Sequence, residues 1–321
     1  MHSRVCILGG TGFVGMAIVA RLVKQGCHVR VLTRRRERHK ALLVLPGVEL
    51  IEADIQHTPV LEHYFRDRDA VINLVGILNE KRDNGQGFRH VHVDLAEKVV
   101  HACQHTGVRR LLHMGALHAD AKQGTSYYLR SKGEALQLVH AARDLDVTSF
   151  CPSVIFGPGD SFFNRFASLL RLMPGIMPLA CANARFAPVY VGDVAEAFVR
   201  SLNNPDCYGQ RYNLCGPRVY SLKQLVSYTA TQAGLHLWVI GLGPGLSKLM
   251  ANIFQHTPGF KPITRDNYRS LQVDSVCPEG FPEIFGITPQ SIEEIVPTYL
   301  AHQQLRERYS GLRQHARRDH P

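Results

Sequence analysis

The chain has 321 residues, 45% hydrophobic and 20% charged, enough for one large α/β domain or a nucleotide domain with a smaller partner. A formal net charge of +10 favours polyanionic company: nucleotide phosphates, an acidic protein or an anionic membrane surface. No recognised nucleic-acid module is present, so no nucleic-acid partner is expected, and no apolar run approaches the ~20 residues of a membrane span.

The chain opens on "RVCILGG" instead of the charged and apolar regions of a signal peptide, so a cytoplasmic protein is expected, soluble or peripheral on the inner membrane. Arg4–Leu8 reads as a first strand, followed by "GGTGFVG" and a helix in which Ile18, Leu22 and Val23 recur at helical spacing until Gly26. "HVRVLTR", "VELIEAD" and "DAVINLVGIL" read as strands two to four. A long helix is expected from about Phe88 to His105, then "RLLHMGAL" and "VTSFCPSVIFGPG" as strands five and six. Strands alternating with helices predict a doubly wound parallel sheet, the Rossmann architecture. Residues 1–151 are read as this domain, with its core extending discontinuously to about 220. Residues 152–302, punctuated by proline and glycine, are read as a smaller substrate or partner lobe, and residues 303–321 as a basic tail.

The eight cysteines are scattered with no CxxC pair and read as reduced, mostly buried thiols. The seventeen histidines suggest no metal arrangement, and no metal is expected. In the later half, Leu246, Leu249, Met250 and Ile253 recur at helical spacing. A core-facing stripe is the expected reading, and a surface helix resting on a bilayer or partner is the alternative.

Gly9-x-x-Gly12-x-x-Gly15 lies between a predicted strand and a predicted helix. Gly9 allows the tight turn, Gly12 lets backbone approach a pyrophosphate, and Gly15 lets helix and strand pack closely. Thr11 and Phe13 belong to the same turn, and the helix N-terminal amides face the phosphates. NAD-selective proteins place an acid at the end of the second strand. This chain has Thr33, Arg34 and Arg35 there, which predicts NADP(H), because arginine clamps a 2′-phosphate that a carboxylate repels. Asp54 is placed to accept from the adenine amine, and Asn73 and Gly76 to line the nicotinamide side or simply to end a strand. Tyr128 and Lys132, four apart, share a helical face, where the lysine's charge would ease phenol deprotonation.

With "GGTGFVG", "NLVGIL", Tyr128-x-x-x-Lys132, "PSVIFGPGD" and "PVYVGDVAEAF" in this order, the chain resembles the extended and atypical short-chain dehydrogenase/reductases to about residue 220. "PSVIFGPGDSFFNRFASLL" and "RFAPVYVGDVAEAF" are similar to the branch containing the NADPH-binding accessory subunit (alpha subcomplex subunit 9) of respiratory complex I, and "TPGFKPITRDNYRSLQVDSVC" matches that branch more loosely. The resemblance implies bound NADP(H) and often no known turnover. It makes Tyr128 the general acid or base and Lys132 the residue that holds the nicotinamide ribose. It places Pro152, Ser153 and Val154 against the nicotinamide and gives Asp193 a lobe-interface role.

Three positions depart from the pattern. Gly115 stands where active members carry Ser or Thr, Cys151 where arginine is frequent, and His92 where asparagine is common. Ser126, Thr125 or His118 could replace the missing hydroxyl. The functions this leaves are a structural or assembly role linked to a respiratory or quinone-related complex; an NADPH-dependent oxidoreductase or epimerase acting on a quinone, isoprenoid or sugar-like carbonyl; and an NADP(H)-sensing regulator.

Overall fold

Each apolar run becomes a strand in the computed structural model, which describes residues 4–255 and 263–300. The strands are β1 (Arg4–Leu8), β2 (His28–Thr33), β3 (Val48–Glu52), β4 (Ala70–Asn73), β5 (Arg110–Met114) and β6 (Asp146–Pro152). A seventh, Arg211–Leu214, returns from the second half of the chain to the edge beside β6. The order is Arg211–Leu214, β6, β5, β4, β1, β2, β3, all parallel. Alternation along β1 covers both faces. Val5 and Ile7 pack under the helices Phe13–Lys24 and Val191–Ser201, and Cys6 and Leu8 under Thr58–Phe65, Leu95–Thr106 and Tyr127–Ala141.

Three boundaries differ from the sequence reading. β4 stops at Asn73 because its Oδ1 turns back to accept from Val75 N at 3.2 Å, opening the crevice at the strand end. The sixth run breaks after Pro152, and Ile155–Phe156 pairs separately with Val189–Tyr190. The long helix runs as Gln86–Arg89, one π turn at His90–Asp94, and Leu95–Thr106. Such a turn adds a residue to the helical repeat, and here His92 within it is buried.

A second core fills the later part of the chain, built on Phe156, Phe163, Leu225, Val226 and Val296. Asp193 accepts from Gln290 N at 2.8 Å, tying the end of the described chain to the Rossmann helices. Two expectations fail in this region. Cys215 and Cys277, read as free thiols, form a disulfide. Ser275, beside Cys277, is bonded through backbone to Arg185 and Ala187, which brings that strand-like segment to the end of Arg211–Leu214; a separation of 62 residues gave no spacing signal. The helix Pro244–Gln255 does not turn its large apolar stripe to the core: it buries Ser247, Ala251 and Gln255 and exposes Leu246, Leu249 and Ile253. The basic tail lies outside the described residues. Among those described, no helix is long and apolar enough to cross a membrane.

Candidate functional site

The three glycines of the first turn differ in what surrounds them. Gly9 has φ +79°, a left-handed conformation that favours glycine. A Cβ on Gly15 would lie 2.3 Å from Gly9 O and 2.5 Å from Gly10 Cα, so this glycine is required by packing. Among the described residues a Cβ on Gly12 meets only Gly9 O, at 3.3 Å, and the space in front of it is otherwise open. Phe13 begins the helix with no side-chain cap, and half-buried Thr11 precedes it. Uncapped amides above an open glycine make a cradle of the shape and polarity that a pyrophosphate requires.

At the end of β2, Thr33 is buried and its Oγ1 accepts from Arg35 N at 3.4 Å. Glu52, opposite on β3, accepts from Arg36 N at 2.8 Å and so closes the turn. The side chains of Arg34 and Arg35 are exposed and pair with no carboxylate among the described residues. Asp54 is exposed beyond β3, with Oδ1 accepting from Gln56 N at 3.0 Å. Pro152 ends β6, whereas Val154 packs against the second core.

The far side of the crevice gathers residues from four elements. Lys132 is 4% exposed, and its Nζ donates to Met114 O at 2.9 Å. A Cβ on Gly76 would stand 3.2 Å from that Nζ and 3.5 Å from His92 Nε2, so the missing side chain is what lets the β4 turn approach both. Ile77 N donates to His92 Nε2 at 3.1 Å, and His92 Nδ1 lies 2.8 Å from Ser131 Oγ, which donates to Tyr128 O at 2.9 Å. This chain of partners assigns a neutral imidazole with its proton on Nδ1. Burial, then the Lys132 charge, pushes its pKa down to about 2. His113, on β5, is pushed down by burial to about 3; its Nδ1 lies 3.5 Å from Asn73 Nδ2, and its Nε2 has no partner among the described residues.

The Tyr128 ring stands edge-on to Phe88 and His92, with centroids at 5.9 and 5.7 Å. The expected easing of its deprotonation is not found. Burial pushes the phenol up to about 12, and Lys132 itself is brought down to about 8 by the same cause. Both residues share the helix Tyr127–Ala141, whose first amides are held by the far end of the chain. Asp266 accepts from Tyr127 N at 2.7 Å and Tyr128 N at 3.1 Å, and Ser126 caps Leu129 N. Asp266 is a residue the sequence reading missed. Its only signal was an acid in "ITRDNYRS", indistinguishable from a solvated one.

No hydroxyl occurs in Met114–Leu117 after β5. A Cβ on Gly115 would lie 2.8 Å from Cys151 Sγ and 3.0 Å from Leu136 Cδ2, so the position is filled as well as bare. Two of the suggested substitutes are engaged elsewhere, Ser126 receiving Ser270 Oγ and Thr125 donating to Arg269 O, and His118 is exposed with φ +57°. Away from the crevice, the expectation of no metal arrangement overlooked His101-x-x-x-His105. These two histidines and Glu62 bring their donor atoms within 4.8 Å of one another, and His105 Nδ1 donates to Glu62 at 2.9 Å.

A glycine cradle on the first crossover and a Tyr-x-x-x-Lys helix across the crevice fall within one class. The chain belongs to the NAD dependent epimerase/dehydratase family, whose model matches residues 5–215, a family that binds nicotinamide dinucleotides. Within it, the chain is similar to mouse (Mus musculus) mitochondrial NADH dehydrogenase (ubiquinone) 1 alpha subcomplex subunit 9, with 27% identity over 89% of this chain and 77% of that protein. It is also similar to a ceramide reductase of Caulobacter vibrioides, with 29% identity over 63% of this chain and 61% of that one. Among solved structures, Pal from Bacillus thuringiensis superposes with a TM-score of 0.74 over 94% of this chain and 99% of that one, at 16% identity, which shows the shared fold.

Proposed function

We propose that the protein binds NADP(H) in the Gly9–Gly15 cradle and serves a structural or assembly role in a respiratory or quinone-related complex. It does so on the cytoplasmic side, peripheral to the inner membrane. In this reading residues 1–151 hold the dinucleotide and 152–302 form the partner lobe. Gly12 and the amides after it take the pyrophosphate, Arg34 and Arg35 clamp the 2′-phosphate, and Asp54 takes the adenine amine. Asn73, Gly76, Pro152 and Val154 border the nicotinamide, and Lys132 gives its remaining N–H groups to the ribose. A bound NADPH supplies a hydride. What is wanting is a donor to polarise an acceptor carbonyl beside Tyr128. The observation that carries the reading is Gly115, whose missing side chain has its space taken by Cys151 and Leu136. The likeness to the mouse subunit agrees with it.

A second reading has two observations in its favour. Tyr128 and Lys132 are both kept on a helix whose first amides are held by Ser126 and Asp266, and the Caulobacter relative is named a reductase. On that reading the pair reduces or epimerises a quinone, isoprenoid or sugar-like carbonyl. Calorimetric titration of NADPH and NADH into the wild type and Arg34→Asp tests the cofactor half. Tighter NADPH binding, reversed by the substitution, is expected; equal or tighter NADH binding by the wild type contradicts it. Steady NADPH oxidation with a carbonyl or quinone panel would favour the second reading.

A further inference from the structure

Among the described residues of the small lobe, Leu172, Ile176, Trp238, Ile240, Leu246, Leu249 and Ile253 are seven large apolar side chains left exposed by successive elements. The strand Trp238–Gly241 pairs in parallel with Ile176–Leu179, Trp238 beside Ile176 and Ile240 beside Pro178. Paired positions in parallel strands point to the same side, so Trp238, Ile176 and Ile240 make one exposed row, with Trp238 79% exposed. Exposed Leu172 lies four residues before Ile176. The helix Pro244–Gln255 follows the second strand directly and presents Leu246, Leu249 and Ile253 on the side opposite Ser247 and Ala251, by which it packs. A soluble surface helix normally reverses this arrangement, placing small or polar residues outward.

The charge around this face is one-sided. No Asp or Glu occurs between Asp160 and Asp193, nor between Asp206 and Asp266, the two stretches from which the whole face is built. Arg171 adjoins Leu172, and exposed Lys248 sits within the helical stripe's own turn. A protein interface of this size would be expected to mix signs at its rim. An apolar face holding a tryptophan, built from stretches that carry cations and no carboxylate, matches the interface of an anionic bilayer. There indole sits at headgroup depth, lysine extends to phosphate, and aliphatic side chains enter the acyl boundary.

We propose that this face docks on an anionic phospholipid surface, with the helix Pro244–Gln255 lying in the plane of the interface. The inference rests on the exposed face and the acid-free stretches, independently of the cofactor reading.

Trp238 is the chain's single tryptophan, so its fluorescence reports the face directly. The full chain is mixed with vesicles of equimolar phosphatidylcholine and phosphatidylglycerol, or of phosphatidylcholine alone, and followed by emission maximum and by flotation. A blue shift and co-flotation are expected with the anionic vesicles, weakening with added salt. Leu249→Glu/Ile253→Glu should lower the partition coefficient at least about tenfold. Both sites are exposed, so its melting temperature and NADPH binding should match the wild type, which separates failed docking from misfolding and from failure of the cofactor reading. Wild type that neither shifts nor floats overturns the proposal, as does a double variant that floats like wild type. Emission already blue-shifted without lipid overturns it too: in proportion to dimer formation it assigns the face to a second copy, and at every concentration to the chain's own remaining residues.

Discussion

Two helices start at the carboxyl end of the sheet, on its opposite faces, and their N-termini are finished differently. The helix at Phe13 starts without a side-chain cap, over a glycine whose front is open. The helix at Tyr127 starts with its amides held by Ser126 and by Asp266, from 139 residues away in the chain. The first leaves its donors for a ligand; the second spends them on the protein. The same contrast runs through the side chains. Around Gly12 there is space that none of the described residues fills, whereas the space at Gly115 is taken by Cys151 and Leu136. An open cradle and a filled pocket are the combination that the proposed binding role needs.

The largest effect should come from breaking the cradle itself. Gly15→Val puts a branched side chain into backbone at Gly9 and Gly10 and should cost about 3 kcal/mol or more in unfolding free energy. Gly12→Val, at φ −80° with a single close Cβ contact of 3.3 Å to Gly9 O, should fold but lose co-purifying nucleotide, and with it the ligand's contribution to melting, about 2.7 kcal/mol at a hundredfold excess over Kd. Nucleotide retained by Gly12→Val, on native mass spectrometry, would displace the site.

Gly115→Ser sharpens the other side of the comparison. Restoring the hydroxyl alone should lower stability by about 1–3 kcal/mol through contact with Cys151 and Leu136, with no gain in NADPH oxidation. Oxidation gained by this single change would show that the pocket can still accept a donor.

The pocket's buried histidines give a pH signature. His92 and His113 have pKa values pushed down to about 2 and about 3, against ~6.5 in an unfolded chain. Between those limits the unfolded chain binds more protons. Stability from these groups is therefore complete above ~6.5 and lost as pH falls, by up to about 1.4 kcal/mol per pH unit for each. Urea unfolding from roughly pH 7 to 5 should show this slope, and His92→Gln should reduce it. A flat profile in the wild type contradicts the buried, neutral assignment.

Lys132→Ala should weaken NADPH binding by roughly tenfold or more, as loss of charged hydrogen bonds implies. Unchanged calorimetric affinity would remove Lys132 from the site.

Much of this was legible in the sequence because local rules govern it. The strand runs, the left-handed turn at Gly9, the packing demand at Gly15 and the Tyr128–Lys132 spacing depend on residues close together in the chain. What escaped depends on distant ones. Asp266 at the Tyr127 amides and the Cys215–Cys277 bridge are set by how the later half folds back. The apolar stripe of Pro244–Gln255 has the helical period of a core face, and period alone does not say which side is turned inward. The crowding at Gly115 combines both kinds: its missing hydroxyl is local, while the sulfur that fills the space arrives from β6.

The smallest expected effect tests the central claim most directly: complementation of a deletion strain by Tyr128→Phe, with NADPH binding of the purified variant checked alongside. If the pair only anchors cofactor, the variant binds NADPH and restores function as the wild type does. Removing a working proton donor instead costs about 10²–10⁴ in rate. A variant that binds NADPH normally yet fails to complement would show that Tyr128 does chemistry, and the binding-only account would be contradicted.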